Sequence, residues 1–212
     1  MTTLVVGDVH GCGAELGVLL RAVRPTRVIC VGDLYTKGPD PVGVWALLRE
    51  HGAEAVLGNH DARLLAVLDG SRPDDTGGRR CVERLDAADR RWRAHLKGLP
   101  LTLEVMGWTV VHAGLHPTQG VAGTSRSRAI SMRRFPGEAD SDPAWTEVYR
   151  APERVLYGHD ARRGLVVTRR GSEPQTVGLD TGCVYGGQLT GLVLEEMRLV
   201  QVPARNVWAS IR

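Results

Sequence analysis

Residues 5–11 read VVGDVHG, an apolar strand pattern that runs into a glycine-flanked aspartate and histidine. Side chains two positions apart in a strand point to the same face, so Asp8 and His10 can converge on one cation. Gly7 and Gly11 allow the backbone to turn tightly around them. Taken alone the pattern is weak evidence, because an aspartate that merely caps the following helix would look the same.

Four further apolar runs end in the same way, with glycine or alanine beside aspartate, asparagine or histidine. They are VGDL at 31–34, LGNHD at 57–61, VVHAG at 110–114 and LYGHD at 156–160. One such ending is explained by the preference of Gly, Asn and Asp for turns. Five endings, which hold four of the seven histidines, are not explained by chance. We therefore expect these side chains to form one site.

The segments between these motifs alternate between strand and helix patterns. Strands are predicted at Leu4–Val9, Arg27–Val31, Ala53–Leu57, Thr109–His112, Val155–Tyr157, Val177–Leu179, Leu189–Glu195 and Leu199–Val202. Helices are predicted at Ala14–Val23, Pro41–His51, Asp61–Leu68 and Arg80–Leu96, and loops at 70–78 and 120–143. This order predicts a single α/β domain over residues 1–212, with a largely parallel first sheet. In such sheets ligands bind at the carboxyl ends of strands, where the five motifs lie.

Composition narrows the classes of protein that the chain can belong to. No stretch approaches the roughly 18 apolar residues of a membrane span. The N-terminus lacks a secretory signal, so we expect a cytoplasmic protein. A net charge of only +3 argues against stable nucleic-acid binding. The pattern does not indicate an oligomeric state, and the C-terminal segment 202–208 is expected to dock on its own domain.

The four cysteines are scattered and include no C-x-x-C pair. A disulfide framework needs denser spacing and an oxidising compartment. Cys30 lies in an apolar run and is interpreted as a small core residue. Cys12 and Cys183 lie in glycine-rich loops near the expected site, where a redox role is open but disfavoured.

The donor types in the motifs predict the kind of cation. Asp, Asn and His suit borderline divalent ions, with Mn²⁺ expected and Fe²⁺, Co²⁺ or Zn²⁺ as alternatives to it, rather than Ca²⁺. Without thiolate donors a closed structural zinc site is not expected at the motifs. Two cations about 3.5–4 Å apart would need a bridging carboxylate. Asp33 is the best candidate for that bridge.

The motifs GDVHG, GDLYTKG, GNHD, HAG and GHD, in this order over residues 7–160, resemble the calcineurin-like metallophosphoesterase superfamily. Within it they are similar to the phosphoprotein phosphatase group. NHDARLLAV at 59–67 and LDTGCVYGGQLT at 179–190 look like the bacterial symmetrical diadenosine tetraphosphatases. The resemblance implies a four-layer αββα sandwich of two mixed sheets flanked by helices.

The resemblance also implies a role for each motif residue. Two divalent metal ions would be held by Asp8, His10, Asp33, Asn59, His112 and His159. The first two would bind one ion, Asp33 would bridge both ions, and the other three would complete the second ion's site. His60 matches the general acid of the family, which protonates the leaving oxygen, and an ordinary histidine pKa of about 6.5 suits that task.

Two positions depart from the phosphoprotein phosphatase pattern. Thr36 replaces an aspartate that orients the acidic histidine, and Lys37 replaces an arginine that clasps the phosphate. Loss of the orienting carboxylate should weaken His60 as an acid. A serine alkoxide needs such an acid to leave, whereas a nucleotide leaves an anhydride as a stable anion. Thr36 therefore favours anhydride substrates.

Four side chains are candidates for contacts with the substrate: Lys37, Arg133, Arg134 and Tyr185. Lys37 offers a point charge to a phosphate. The two arginines align loosely with a substrate-contacting arginine of the relatives, and a plain surface pair explains them equally well. Tyr185 either stacks on a base or holds a tight turn, and Asp180 is interpreted as a turn residue.

These patterns together predict a two-metal hydrolase that cleaves dinucleoside polyphosphates, such as diadenosine tetraphosphate, to ADP by attack of a metal-bridging hydroxide. A serine, threonine or tyrosine protein phosphatase acting on phosphoproteins is the first alternative, since the chain is short between its third and fifth motifs. A polyphosphatase or an RNA 5′-end hydrolase comes next. A metal-stabilised scaffold without activity is disfavoured, because every expected ligand is present.

Overall fold

The computed structural model describes residues 1–72 and 75–210. Helices and strands alternate in the first half, and strands predominate in the second half. In chain order the elements are β1 (Thr3–Val6), α1 (Gly13–Val23), β2 (Arg27–Cys30), α2 (Pro41–Glu50), β3 (Glu54–Ala55), α3 (Asn59–Leu68), α4 (Thr76–Ala88), α5 (Trp92–Lys97), β4 (Thr102–Val105), β5 (Trp108–Val111), α6 (Arg126–Ser131), β6 (Arg154–Tyr157), β7 (Val166–Arg170), β8 (Glu173–Gly178), β9 (Gln188–Val193) and β10 (Arg198–Pro203).

The strands form two five-stranded mixed sheets. The first sheet has the order β10-β9-β1-β2-β3, in which β1, β2 and β3 are parallel and β9 and β10 run antiparallel. The second has the order β4-β5-β6-β8-β7, in which β5, β6 and β8 are parallel. The five predicted motifs follow parallel strands, which are β1, β2 and β3 in the first sheet and β5 and β6 in the second.

Alternate side chains of the central strands serve different cores. Leu4 of β1 packs with the helices outside the first sheet, whereas its neighbour Val5 packs between the two sheets. In β5, Val110 lies between the sheets and Val111 packs in a third core on the outer side of the second sheet. Strands buried on both faces read as continuous apolar runs. The predicted four-layer αββα sandwich is confirmed.

The helix predicted over Arg80–Leu96 is in fact two helices, because the chain leaves the helical conformation at Asp89. The Asp89 carboxylate accepts hydrogen bonds from Trp45 Nε1 at 3.1 Å and from Arg49 at 2.7 Å. These bonds anchor the break to α2. The charged sequence from Arg80 to Leu96 has helical spacing throughout, so the break at Asp89 was not predicted from it.

The loop predicted at 70–78 is shorter than expected, because α4 begins at Thr76 behind the cap residue Asp75. Positions 73 and 74 of that loop lie outside the described residues. The loop predicted at 120–143 contains the short helix α6, which Ser125 caps. Strands β4 and β7 were not predicted, since they lie at sheet edges and are partly exposed.

The C-terminal segment docks on its own domain, as predicted. Ala204 donates its N–H to the Gly187 carbonyl at 2.9 Å, and Trp208 donates to the Val184 carbonyl at 3.0 Å. Cys30 is a fully buried core residue, also as predicted. No helix among residues 1–72 and 75–210 combines the length and apolar character needed to cross a membrane.

Candidate metal centre

The loops that follow the central strands of both sheets meet at one point. Asp33, after β2 in the first sheet, has one carboxylate oxygen 3.4 Å from His10 Nε2 and the other 3.6 Å from His112 Nε2. His10 follows β1, and His112 follows β5 in the second sheet. The position expected to bridge two cations thus lies between histidines from the two sheets.

Asn59 joins the two histidines of the second sheet. Its Oδ1 atom lies 3.0 Å from His112 Nε2 and 3.2 Å from His159 Nδ1. Asp8 completes the group, because its carboxylate accepts the backbone N–H of His159 at 3.1 Å. All six predicted ligands are therefore connected through direct contacts. One atom each of Asp8, Asp33 and His112 lies within 4.8 Å of the others, a spacing that suits a metal ion.

Backbone carbonyls orient two of the histidines. The Val31 carbonyl lies 2.8 Å from His112 Nδ1, and the Ser131 carbonyl lies 3.1 Å from His159 Nε2. In each ring the other nitrogen is left to face Asn59. Histidines that bind metals usually donate their second ring N–H in this way, which fixes the tautomer. The arrangement therefore fits neutral imidazoles that present a lone pair to a cation.

The carboxylates of the centre crowd one another. Burial raises the pKa of Asp8 well above its ordinary value, and the neighbouring Asp180 and Asp33 carboxylates add to the effect. Burial also raises the pKa values of Asp33 and Asp180 to about 6. Without a cation these groups repel each other when ionised. A bound divalent ion would remove that repulsion.

The imidazoles of the centre are held neutral. Burial lowers the pKa of His112 to about 4 and lowers the pKa values of His10 and His159 well below their ordinary range. Neutral imidazole and ionised carboxylate are the forms that bind metal ions. The charge balance of the described residues thus fits one or more cations at this position.

Backbone conformation at the strand ends is unusual. Among the described residues, seven other than glycine have a positive φ, and four of these lie at the centre: His10, Asp33, Lys37 and His159. Such conformations cost free energy in L-residues and cluster at functional sites. Here they turn the side chains of consecutive loops toward one another.

Asp61 holds two of these loops together, a role that the sequence analysis did not assign. Its buried carboxylate accepts N–H groups from Asp33 at 2.7 Å, Leu34 at 3.0 Å and Gly58 at 3.1 Å. Burial and the Asp33 charge raise its pKa to about 7. The signal was available, because an acidic residue at the third position of a helix often accepts the cap N–H. Asp61 is a positioning residue for Asp33.

Asp180, which was interpreted as a turn residue, also belongs to the centre. It does accept the Gly182 N–H at 3.0 Å, as a turn residue would. It is also buried, and its charge raises the pKa of Asp8. It follows β8, so a sixth strand end contributes to the site.

His60 lies at the edge of the centre, with its ring centroid 5.1 Å from that of His10. Its backbone N–H donates to Asp33 at 2.9 Å. Burial, followed by the nearby Lys37 charge, lowers the His60 pKa to about 3, far from the ordinary value assumed from sequence. Thr36 contacts His10 Nδ1 at 3.4 Å. Because burial lowers its pKa, the His60 ring is neutral near pH 7 in the free protein, and no carboxylate of the described residues forms a hydrogen bond with the ring.

The four predicted substrate contacts separate into two groups. Lys37 donates to the Tyr185 hydroxyl at 2.6 Å and lies 3.2 Å from His10 Nε2, so this pair borders the centre. Arg133 also lines the cavity above the centre. Arg134 does not, because its guanidinium binds the Asp142 carbonyl within the 132–145 loop. The structure therefore does not bring Arg134 to the site.

A cavity of about 830 Å³ borders the centre on the side of His60 and Lys37, and none of the six predicted ligands lines it. His60, Tyr35 and Tyr185 line it, together with residues of α3 and α4. Five of the lining side chains are cationic: Lys37, Arg63, Arg80, Arg84 and Arg133. Arg63 pairs with Asp75, whereas Arg80 makes no hydrogen bond or ion pair with the part of the chain that is described. The cavity therefore presents free positive charge next to the carboxylate cluster.

Comparison with known proteins identifies similar chains. The family model described as calcineurin-like phosphoesterase matches residues 1–173. A symmetrical bis(5'-nucleosyl)-tetraphosphatase from Janthinobacterium sp. (strain Marseille) is 30% identical over 274 aligned positions, which cover 95% of this chain and 96% of that protein. An asymmetrical bis(5'-nucleosyl)-tetraphosphatase from Anoxybacillus flavithermus is 27% identical over 237 positions, covering 94% and 93%.

A solved structure is similar over nearly the whole chain. It is a crystal structure of a candidate diadenosine tetraphosphatase, with a TM-score of 0.82 and 35% sequence identity. The match covers 97% of this chain and 94% of the other.

Proposed function

The chain belongs to the calcineurin-like phosphoesterase family and is a metal-dependent hydrolase; on that premise we propose that it hydrolyses dinucleoside polyphosphates, with diadenosine tetraphosphate as the representative substrate. The observation that supports this proposal is the cationic cavity beside the carboxylate cluster. A bridge of four phosphates carries several negative charges over a length that one phosphoserine does not reach. Five cationic side chains and one carboxylate, Asp75, line the cavity, and this excess of positive charge suits such a polyanion better than a single phosphate.

We propose that two divalent cations, with Mn²⁺ as the expected ion, lie between the two sheets. Their ligands would be Asp8, His10, Asp33, Asn59, His112 and His159. Bound cations would acidify a water molecule for attack on phosphorus near neutral pH. We also propose that residues 1–212 act as one domain, since both sheets supply ligands.

The protein side chains around that centre would bind and orient the substrate. Lys37 and Arg133, on the cavity side, would neutralise phosphoryl oxygens as charge develops on them. Tyr185 would hold Lys37 in place through the hydrogen bond to its hydroxyl. His60 would face the leaving oxygen, and its neutral imidazole would donate a hydrogen bond to that oxygen. A nucleotide that leaves an anhydride as a stable anion needs little more than this. This arrangement supports an anhydride more than a serine ester.

The position of cleavage is a separate question, because relatives of both kinds match the chain. The alignment with the symmetrical enzyme has 274 positions, so at least 62 of them carry no residue of this 212-residue chain. The alignment with the asymmetrical enzyme has 237 positions, of which at least 25 carry no residue of this chain. We propose symmetrical cleavage because the symmetrical relative has the higher sequence identity to this chain. Asymmetrical cleavage is the second candidate, because the alignment with the asymmetrical relative leaves fewer positions without a residue of this chain.

A single set of incubations tests the substrate and the cleavage position. Protein loaded with Mn²⁺ is incubated separately with diadenosine tetraphosphate, a phosphoserine peptide and inorganic polyphosphate, and the products are resolved by chromatography. We expect two ADP molecules for each tetraphosphate. ATP with AMP would support the asymmetrical candidate. Release of phosphate from the peptide alone would contradict the proposed substrate class.

Arg80 offers a test of the cavity. Because the Arg80 guanidinium has no partner among residues 1–72 and 75–210, Arg80→Ala should remove one charge-assisted contact with a distal phosphate and leave the fold intact. Such contacts contribute about 1.5–3 kcal/mol. We therefore expect the KM for diadenosine tetraphosphate to rise about tenfold or more, with kcat little changed and p-nitrophenyl phosphate hydrolysis unaffected.

The matched control for Arg80→Ala is Arg90→Ala, since Arg90 is exposed just beyond α4 and does not line the cavity. This control should leave both substrates unchanged. Equal losses for the tetraphosphate and the aryl phosphate in Arg80→Ala would show that the cavity does not bind a distal phosphate.

A further inference from the structure

Two of the four cysteines lie together with a glutamate outside the proposed two-metal centre. The sulfur atoms of Cys12 and Cys183 and a carboxylate oxygen of Glu15 all lie within 4.8 Å of one another. All three side chains are buried. We propose that Cys12, Glu15 and Cys183 bind a zinc ion, in a site distinct from the two-metal centre.

The donor set fits Zn²⁺. Zinc is bound by thiolates at about 2.3 Å and by carboxylates at about 2.0–2.2 Å, in tetrahedral geometry. Ligand atoms around such an ion are about 3.5–3.8 Å apart, so separations within 4.8 Å close onto it through small side-chain rotations. Two thiolates select Zn²⁺ over the harder ions that oxygen ligands prefer. Three protein ligands leave the fourth position for water.

The local fold prepares two of the ligands. Cys12 immediately precedes α1 and its side chain makes no capping hydrogen bond, while Glu15 lies in the first turn. Residues three apart on a helix lie on the same face. The third ligand, Cys183, comes from the loop between β8 and β9.

The buried carboxylate of Glu15 is a second, independent observation. Its side chain accepts the Arg205 N–H at 2.8 Å and forms no ion pair with any of the described residues. Only 2% of Glu15 is exposed to solvent. A buried carboxylate without a cationic partner is costly. A zinc ion would bind this carboxylate directly, and two thiol protons would be released to solvent as the ion binds, so that the net charge of the site would stay at −1.

A zinc ion at this position would connect three segments that surround the two-metal centre. Cys12 is two residues from His10, and Cys183 is two residues from Tyr185. Glu15 contacts the C-terminal segment through Arg205. The ion would thus stabilise the loop after β1, the loop before β9 and the docked C-terminal segment relative to one another. Its role would be to hold these segments together, with a water molecule as the fourth ligand instead of the four protein ligands of most structural zinc sites.

Cobalt provides a probe that separates this site from the two-metal centre. Co²⁺ bound to thiolates shows an intense charge-transfer absorption in the near ultraviolet, whereas oxygen and nitrogen ligands do not produce it. The proposed two-metal centre contains no cysteine. Reduced, metal-free protein is titrated with Co²⁺ and then with Zn²⁺. We expect the absorption to appear with Co²⁺ and to disappear as Zn²⁺ displaces it.

Variants assign the absorption to residues. Cys12→Ser and Cys183→Ser should lose it while keeping the circular dichroism of the wild type, and Cys81→Ser, which alters another buried cysteine, should keep it. Glu15→Gln should raise the Co²⁺ concentration for half-maximal absorption about tenfold or more, because even partners of ligands contribute 10–100-fold. An absorption that Glu15→Gln leaves unchanged would remove Glu15 from the site.

Two further results decide the proposal. Asp33→Asn, which removes the expected bridge of the two-metal centre, should retain the absorption, so failure of that centre does not affect this test. Reduced, folded wild-type protein that shows no absorption would overturn the zinc site and leave the cysteines as core residues. Loss of two free thiols on purification, restored by reductant, would instead identify a disulfide and would also overturn it.

Discussion

Asp33→Asn is expected to abolish hydrolysis and to reduce the Mn²⁺ bound by the Mn²⁺-loaded protein below two ions per chain. One Asp33 carboxylate oxygen lies 3.4 Å from His10 Nε2 and the other lies 3.6 Å from His112 Nε2, so Asp33 is the group that two neighbouring cations would share. Asparagine keeps the shape and tolerates a positive φ, but has only one oxygen and no charge. Loss of one preorganised electrostatic group already costs about 10²–10³-fold in kcat. We expect a loss of at least about 10³-fold.

The loss is measured as kcat on diadenosine tetraphosphate, together with metal content by atomic emission after dialysis. The matched control is Asp40→Asn at the start of α2, because asparagine caps a helix as well as aspartate does. It should retain metal and activity. Two bound Mn²⁺ ions per chain and near-normal turnover in Asp33→Asn would contradict the proposed arrangement of ligands.

His60→Ala should retain both metal ions and lose turnover to an extent that depends on the leaving group. The backbone N–H of His60 donates a hydrogen bond to the Asp33 carboxylate. The His60 ring forms no hydrogen bond with that carboxylate and packs against the His10 ring instead. Truncation should therefore spare the metals. Proton donation contributes about 10²–10⁴-fold where the leaving group needs it. We expect a loss in that range for phenyl phosphate, and a much smaller loss for p-nitrophenyl phosphate and for the tetraphosphate.

The dependence on the leaving group is the informative part of this prediction. His51→Ala, at the end of α2, removes a histidine away from the cavity and should change none of the three rates. Equal losses for all three substrates would mean that His60 binds or positions the substrate rather than donating to the leaving oxygen. A loss of metal would make it a ligand or a structural residue.

The cavity beside the centre is lined in part by side chains of helices α3 and α4. The cationic side chains of α3 and α4 face the same space as His60 and Lys37. The break at Asp89 fixes where α4 ends, because its carboxylate is bound by residues of α2.

Strand ends were predictable from the sequence because a buried parallel strand has a strong local pattern. Val5 and Val110 belong to apolar runs that are buried on both faces, and the polar residue after each run marks the end. Edge strands β4 and β7 lack this pattern, since one face is exposed and no apolar run is needed. Helix α6 was not predicted either, because it is short and mostly polar and so also lacks an apolar pattern.

The amino-acid sequence alone determined the fold class, the ends of the central strands and the types of donor that those ends carry. Each of these is a property of a short stretch of consecutive residues. The tertiary structure decided what residues distant in the chain do together: Asp61 bonds to the loop of Asp33, Asp180 joins Asp8, and Cys12 meets Cys183. Such pairs depend on how two sheets and four layers pack, and no local pattern encodes a distance across that packing.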